Sequence, residues 1–132
     1  MERDLRALSR GFRLWIDDDY AFVIIVDLVL PPGYGQSHTA MLLELPDDYP
    51  LSPLGVGESH VFLPPSLRFR GRRISDLHDW QTPSVDTPGF GPWAWFCYER
   101  VRWSPERDDL IRFVEMVRAD LANPRTCLLP LI

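Results

Sequence analysis

The residues best suited to chemistry in this 132-residue chain are its two cysteines and three histidines. Cys97 ends an apolar, aromatic run, PWAWF, and is followed closely by Arg100 and Arg102. Basic neighbours favour the thiolate, which is the nucleophilic form of cysteine, whereas Glu99 opposes it. Unpaired cysteine is also among the most often buried residue types. On residue types alone, Cys97 is therefore either a nucleophile or a packed core residue.

His78 is the histidine that could assist such a nucleophile. It lies in the segment SDLHDW, between Asp76 and Asp79. An imidazole there can act as a general base or position a reacting group for chemistry at Cys97. The alternative is an exposed loop histidine. The other two histidines, at positions 38 and 60, lie in strand-like contexts and are expected to be structural.

The remaining cysteine, Cys127, lies in the apolar tail RTCLLPLI, where no polar groups cluster. We expect it to be a packing or bystander thiol. The spacings of the cysteines and histidines fit no zinc pattern. The chain also lacks a glycine-rich phosphate loop, a dinucleotide fingerprint and a GxSxG elbow. No metal or organic cofactor is therefore expected.

Length and charge restrict the class of protein. A chain of this size predicts a single domain spanning residues 1–132. The net charge of −5 and the pI of about 5.1 argue against nucleic-acid binding, which usually rests on a basic surface. No apolar run is long enough to cross a membrane, and the N-terminus lacks the order of a secretory signal. We expect a cytoplasmic protein whose cysteines are thiols.

All fourteen basic residues are arginine, and the chain has no lysine. A GC-rich genome would explain this, and so would selection against amines in an enzyme that attaches proteins to amines. Four of the arginines cluster at Arg68, Arg70, Arg72 and Arg73. The cluster is either a solvated hairpin edge or a docking patch for an acidic partner protein.

The first half of the chain predicts an antiparallel meander. Residues 2–9 suit a short helix, and residues 12–16 alternate apolar and polar side chains as a strand does. Residues 20–30, YAFVIIVDLVL, give the strongest strand signal, and residues 38–45 give the next. The turns between them are short, which favours antiparallel neighbours.

Residues 50–92 are punctuated by proline and glycine and predict a long irregular loop. Only residues 59–63 and 67–69 suit short extended pairing. A long loop inside a compact domain is more often functional than disordered, and its apolar side chains are expected to pack over the sheet. In residues 92–98, Trp93, Trp95 and Cys97 would share one face of an extended segment.

A helix is predicted after Cys97. Ser104 suits the N-cap and Pro105 the first helical position, with acidic residues in the first turn. An apolar stripe at helical spacing is expected to face the core: Leu110, Phe113, Val114, Val117 and Leu121. This prediction places the positive end of the helix dipole close to Cys97. The whole pattern predicts an α+β fold, with the meander packed on a C-terminal helix.

These elements occur in the order of the ubiquitin-conjugating enzyme fold. The segment LPDDYPLSP resembles the tyrosine-proline segment after the third strand of that family, and WSPERDDLIRFVEMVRADLANP resembles its tryptophan-x-proline start and following helix. The pattern LPPGY, LLELP, YP, an aromatic pair and Trp-x-Pro is similar to the bacterial branch of conjugating-enzyme-like proteins. The resemblance spans roughly residues 12–123.

The resemblance implies that Cys97 forms a thioester with the C-terminus of a ubiquitin-like protein. Cys97 would accept that protein from an adenylating, activating-type enzyme and pass it to an amine. His78, singled out above by its residue type, is the candidate helper for this chemistry. The setting would be a bacterial conjugation or antiphage defence system. The family's eukaryotic His-Pro-Asn motif is absent, and the sole asparagine is Asn123. Backbone N–H groups or His78 are the candidates to replace it.

Two other functions remain open on the sequence. A non-catalytic module on the same fold would bind a ubiquitin-like or partner protein and would bury Cys97. A free-standing cysteine hydrolase would need a histidine paired with Cys97.

Overall fold

The computed structural model describes residues 1–49, 51, 54, 59–83, 87, 89–97 and 103–127. Within them the chain forms two helices and eight strands. In chain order these are α1 (Glu2–Leu8), β1 (Leu14–Ile16), β2 (Phe22–Val29), β3 (His38–Glu44), β4 (Val61–Leu63), β5 (Arg68–Phe69), β6 (Arg72–Arg73), β7 (Leu77–His78), β8 (Ala94–Phe96) and α2 (Leu110–Ala122).

Six of the described strands form one antiparallel sheet in the order β1-β2-β3-β4-β8-β7. The first four follow the chain as a meander, of which the sequence predicts the first three strands. β8 then pairs with β4, and β7 pairs with the other edge of β8, so that β7 ends the strand order. β5 and β6 form a separate two-stranded hairpin. An α+β architecture with an antiparallel sheet and a C-terminal helix is therefore confirmed.

The short extended segments expected at residues 59–63 and 67–69 are confirmed, because they contain β4 and β5. The prediction of an irregular loop over the rest of residues 50–92 is wrong for β6, which completes a hairpin with β5, and for β7. β7 belongs to the main sheet because Leu77 pairs with Phe96 and His78 with Trp95. Its two residues give no periodic signal, so only the pairing with β8 reveals it as a strand. His78 consequently lies on an edge strand and not in a loop.

Both faces of the sheet bury apolar side chains. On one face, β2 residues Val23 and Ile25 join α1 and α2 in a large cluster, which we call the inner cluster. On the other face, Phe22 and Ile24 join a smaller one, the outer cluster, whose buried members are Phe22, Ile24, Leu42, Phe62 and Trp93. Two buried faces explain why β2 reads as an almost continuous apolar run.

Helix α2 presents the predicted stripe to the inner cluster, because all five residues of the stripe are buried. The predicted start at Ser104 is wrong. A separate turn closes there, with the Ser104 backbone N–H donating to the Asp108 carboxylate at 2.7 Å. Asp109 is then extended (φ −141°, ψ −177°) and caps the helix by accepting from the Arg112 N–H at 2.9 Å. The helix therefore begins at Leu110.

The short helix predicted within residues 2–9 is confirmed as α1, which buries Leu5 and Leu8 against the inner cluster. It also contacts α2, so the two helices cover the same face of the sheet. Among the described residues, no helix has both the length and the apolar character needed to cross a membrane.

Candidate functional site

Cys97 lies immediately after β8, the strand that the edge strand β7 pairs with. The register that pairs His78 with Trp95 and Leu77 with Phe96 continues to Asp76 and Cys97. The Cys97 backbone N–H donates to the Asp76 carbonyl oxygen at 2.8 Å. The edge strand therefore holds the backbone of Cys97 at the end of the sheet.

The alternation of β8 assigns its side chains to two faces. Ala94 and Phe96 belong to the inner cluster, whereas Trp93 and Trp95 pack in the outer cluster. Continuing this alternation by one residue places the Cys97 side chain on the outer face of the sheet. The sequence predicts that Trp93, Trp95 and Cys97 share one face of this segment, and the prediction is confirmed for Trp93 and Trp95. The next residue, at position 98, lies outside the described residues.

His78 lies on the same outer face, because its ring packs on Trp95 with centroids 5.5 Å apart. Its position is diagonal to Cys97 on the neighbouring strand, and such diagonal neighbours are roughly 7–8 Å apart at Cα. The fold therefore brings the two predicted site residues, 19 positions apart in sequence, to one end of one strand pair.

Cys97 and His78 are both partly exposed, whereas Ala94 and Phe96 beside them are buried. Cys97 and Cys127, both among the described residues, are not joined by a disulfide. Partial exposure is the condition under which a thiol can meet a reagent or a substrate. Cys97 is thus not among the fully buried residues of the core.

The acidic residues that flank His78 in sequence have other contacts. The Asp76 carboxylate accepts two hydrogen bonds from the Arg125 guanidinium, at 2.6 and 3.1 Å. Asp79 lies on the other side of β7 and lines a cavity there. Among the described residues, the His78 imidazole makes ring contacts with Trp80 and Trp95 but no hydrogen bond. Within the described part of the chain, the geometry therefore provides no carboxylate that orients His78.

The bond between Asp76 and Arg125 fastens the C-terminal segment beside the site. Residues 125–127 run along residues 73–75, with the Ser75 N–H donating to the Arg125 carbonyl at 2.8 Å and the Cys127 N–H to the Arg73 carbonyl at 2.9 Å. The backbone of Cys127 thus helps to hold this segment against residues 73–75. Asp76 consequently serves both segments, since its carbonyl holds Cys97 and its carboxylate holds the C-terminal segment.

A second histidine reaches the outer face of the sheet, and sequence reasoning missed it. His60 Nδ1 lies 2.5 Å from Glu44 Oε1, and the His60 backbone N–H also donates to this carboxylate. Glu44 is 16 positions earlier and comes into contact only because β3 pairs with β4. No local signal marks the pair, although histidine with glutamate is a usual acid–base combination.

Trp95 lies between the two histidines. Its ring centroid is 5.6 Å from that of His60, 5.5 Å from that of His78 and 5.4 Å from that of Trp80. Its Nε1–H is buried and has no acceptor among the described residues. We call these four side chains the aromatic quartet. Both imidazoles pack against this one indole, and His60 is held in addition by its contact with Glu44.

The prediction that the start of the helix follows closely after Cys97 is wrong. α2 begins 13 positions after Cys97, and a separate turn intervenes, so adjacency in the chain no longer supports an effect of the helix dipole on this thiol. Glu99, Arg100 and Arg102 lie outside the described residues. Among the described residues, no three His, Cys, Asp or Glu side chains are grouped as a metal would require.

Comparison of the chain with protein-family models, with curated proteins and with solved structures found no match in any of the three.

Proposed function

We propose that this protein is a ubiquitin-conjugating-enzyme-like transferase that carries a ubiquitin-like protein as a thioester on Cys97. The observation that supports this most directly is the position of Cys97. It follows the last residue of β8, its backbone N–H is held by the Asp76 carbonyl, and the residue is partly exposed. A thiol at a partly exposed position can meet a partner's thioester, whereas a fully buried thiol cannot.

In the first step, the Cys97 thiolate attacks the carbonyl carbon of the thioester that joins the ubiquitin-like protein to its activating enzyme. A C–S bond to Cys97 forms, the C–S bond to the activating enzyme breaks, and that enzyme's thiolate leaves. In the second step, an acceptor amine attacks the same carbonyl, the C–N bond forms, and Cys97 leaves as a thiolate.

The attacking amine loses one proton in the second step, and His78 is our candidate to receive it. His78 shares the outer face and the strand pair of Cys97. The implied partners are a ubiquitin-like protein and an adenylating enzyme of a bacterial conjugation or defence system. A cytoplasmic location suits this chemistry because its thiols stay reduced there.

The test incubates the protein with the ubiquitin-like protein and activating enzyme encoded beside it, together with ATP, and resolves the products on a non-reducing gel. We expect a shifted band that a thiol reductant removes. Cys97→Ala should abolish the band, and Cys97→Ser should replace it with an oxyester that resists reductant and yields to hydroxide. Cys127→Ala is the matched control and should form the band normally.

A band that persists unchanged in Cys97→Ala would refute the assignment of the nucleophile. The absence of any adduct, with both partners active in their own assays, would refute the transferase.

The role of His78 is tested by the rate at which the preformed thioester discharges to free lysine. We expect His78→Gln to slow discharge by about 10²-fold, the lower end of general-base effects, without changing thioester formation. His38→Gln is the control, because His38 is exposed and bonded to Ser37 at 2.7 Å. An unchanged discharge rate in His78→Gln, with slow discharge in His60→Gln, would transfer the role to His60.

A second candidate function is a non-catalytic binding module, and the exposed aromatic side chains of the outer face favour it. Trp80 is 69% exposed and Trp15 is 39% exposed. Tryptophan is enriched at the centres of protein interfaces. Stable co-purification with the ubiquitin-like protein, without an adduct and unaffected by Cys97→Ala, would establish this alternative.

A further inference from the structure

A cavity of about 240 Å³ lies on the inner side of β7, away from Cys97 and His78. Four apolar side chains of the inner cluster contribute to its wall: Leu67, Ile74, Leu77 and Ala94. The volume is below the roughly 300–1,000 Å³ usual for drug-sized ligands, so the cavity suits a ligand the size of one amino acid.

Two arginines face each other at this cavity. Arg68 on β5 and Arg73 on β6 are directly paired in the hairpin, and both line the cavity. Like charges in directly opposed positions destabilise a strand pair. An anion bound between the two guanidinium groups would remove that repulsion.

Arg68 is held in place by two backbone carbonyl groups. Its Nη1 donates to the carbonyl oxygens of Pro65 at 3.1 Å and Leu67 at 3.0 Å, and the side chain is half-buried. Among the described residues, no carboxylate forms an ion pair with Arg68 or with Arg73. A positioned, half-buried guanidinium without a counter-ion is a binding group for an anion.

The third charged group at the cavity is Asp79, which is exposed and lies at its rim. A carboxylate beside two guanidinium groups and an apolar wall matches a molecule with an anionic end, an aliphatic part and, in a free amino acid, an ammonium group. Inorganic phosphate would satisfy the arginines but would leave the apolar wall unused.

We propose that this cavity binds an aliphatic α-carboxylate, with Arg68 and Arg73 on the carboxylate and the leucine and isoleucine side chains around the aliphatic group. The ligand that carries this carboxylate is a free amino acid or the C-terminal residue of a peptide. The proposal does not rest on the transferase function, because the cavity is on the opposite face of β7 from Cys97.

The test is a titration of the isotopically labelled protein, followed by amide chemical shifts, at one fixed low salt concentration because salt screens such charges. The probes are L-leucine, N-acetyl-L-leucine, the peptide acetyl-Gly-Gly-Leu, L-leucinamide and inorganic phosphate. We expect the three carboxylates to shift the amides of residues 67–79 and leucinamide to leave them unshifted.

The matched variants are Arg73→Gln and Arg72→Gln. Arg72 and Arg73 are adjacent exposed residues on β6, and each substitution removes one positive charge. Only Arg73 lines the cavity. Arg73→Gln should weaken carboxylate binding about tenfold or more, whereas Arg72→Gln should change it less than about twofold.

The variant Asp79→Asn distinguishes a free amino acid from a peptide C-terminus as the ligand. If this variant reduces L-leucine binding to the level of N-acetyl-L-leucine, the ligand is the free amino acid; if the peptide binds best and is unaffected, the ligand is a peptide C-terminus. The proposal is overturned if leucinamide binds as well as leucine or phosphate binds more tightly than any carboxylate. Equal weakening by Arg72→Gln, or no shift in residues 67–79 with any carboxylate, would also overturn it.

Discussion

Tyr49 shows how a single side chain ties the N-terminal helix to the rest of the molecule. Its hydroxyl donates to the carboxylate of Asp4 in α1, and its ring packs on Trp103 with centroids 5.8 Å apart. Burial raises the pKa of Tyr49 above its ordinary value, and the hydrogen bond to Asp4 raises the pKa further. Burial also raises the pKa of Tyr34.

A pKa that is raised on folding gives a defined dependence of stability on pH. The stabilising effect of these tyrosines is fully present below the unfolded pKa of about 10, and it is lost as the pH rises above that value, because the unfolded chain releases the proton first. We expect the free energy of unfolding in urea to fall above about pH 10, and to fall less steeply in Tyr49→Phe.

Tyr20→Phe is the control for that experiment. The Tyr20 hydroxyl is exposed and bonded to Glu2 at 3.1 Å, so its removal should change the slope less. A slope in Tyr49→Phe identical to that of the unmodified protein would contradict the assignment.

At the scale of elements, the β5–β6 hairpin is docked on the turn between β2 and β3. The Arg70 N–H donates to the Gly33 carbonyl at 2.7 Å, and Tyr34 forms an isolated bridge with Phe69. Gly33 has a φ of +112°, a region that favours glycine. A Cβ atom there would collide with the Phe69 ring, so both the backbone and the space require glycine.

Gly33→Ala is therefore expected to lower the free energy of unfolding by about 1–3 kcal/mol, as left-handed strain and a displaced ring each add cost. Chemical denaturation measures this change. Gly35→Ala is the matched control in the same turn, because its Cβ would meet no atom within 4 Å. Equal stabilities of the two variants would show that the hairpin does not depend on this contact.

At the scale of the whole molecule, the two apolar clusters share the same strands. Phe62 of β4 is buried in the outer cluster, and Phe113 of α2 is buried in the inner cluster. Alternate residues of β2 and β3 belong to opposite clusters, so neither face can lose its packing without disturbing strands that the other face uses.

We predict that unfolding is one cooperative transition, as for most small single domains. Phe62→Leu and Phe113→Leu should each lower the free energy of unfolding by about 1 kcal/mol or more, with far-UV circular dichroism and tryptophan fluorescence giving the same midpoint. Ile111→Ala, at a position 39% exposed on α2, is the control and should cost less. Two separated transitions would contradict the prediction of a single domain over residues 1–132.

The sequence determined those features that local patterns encode. The apolar stripe of α2, the strands β2 and β3, and the alternation around Trp93 and Trp95 all agree with the structure, because a period of 3.6 or 2 residues is set by neighbours in the chain. The candidate residues Cys97 and His78 were also identifiable from their chemical types, although their functions remain predictions.

The tertiary structure alone decided which distant segments meet. In the folded chain, β7 lies at the edge of the sheet beside β8, His60 contacts Glu44, and the paired Arg68 and Arg73 line one cavity. α2 also begins at Leu110 and not at the predicted Ser104. Each of these depends on backbone pairing or on a side chain that competes for a backbone N–H, and such competition is resolved only when the whole chain is folded.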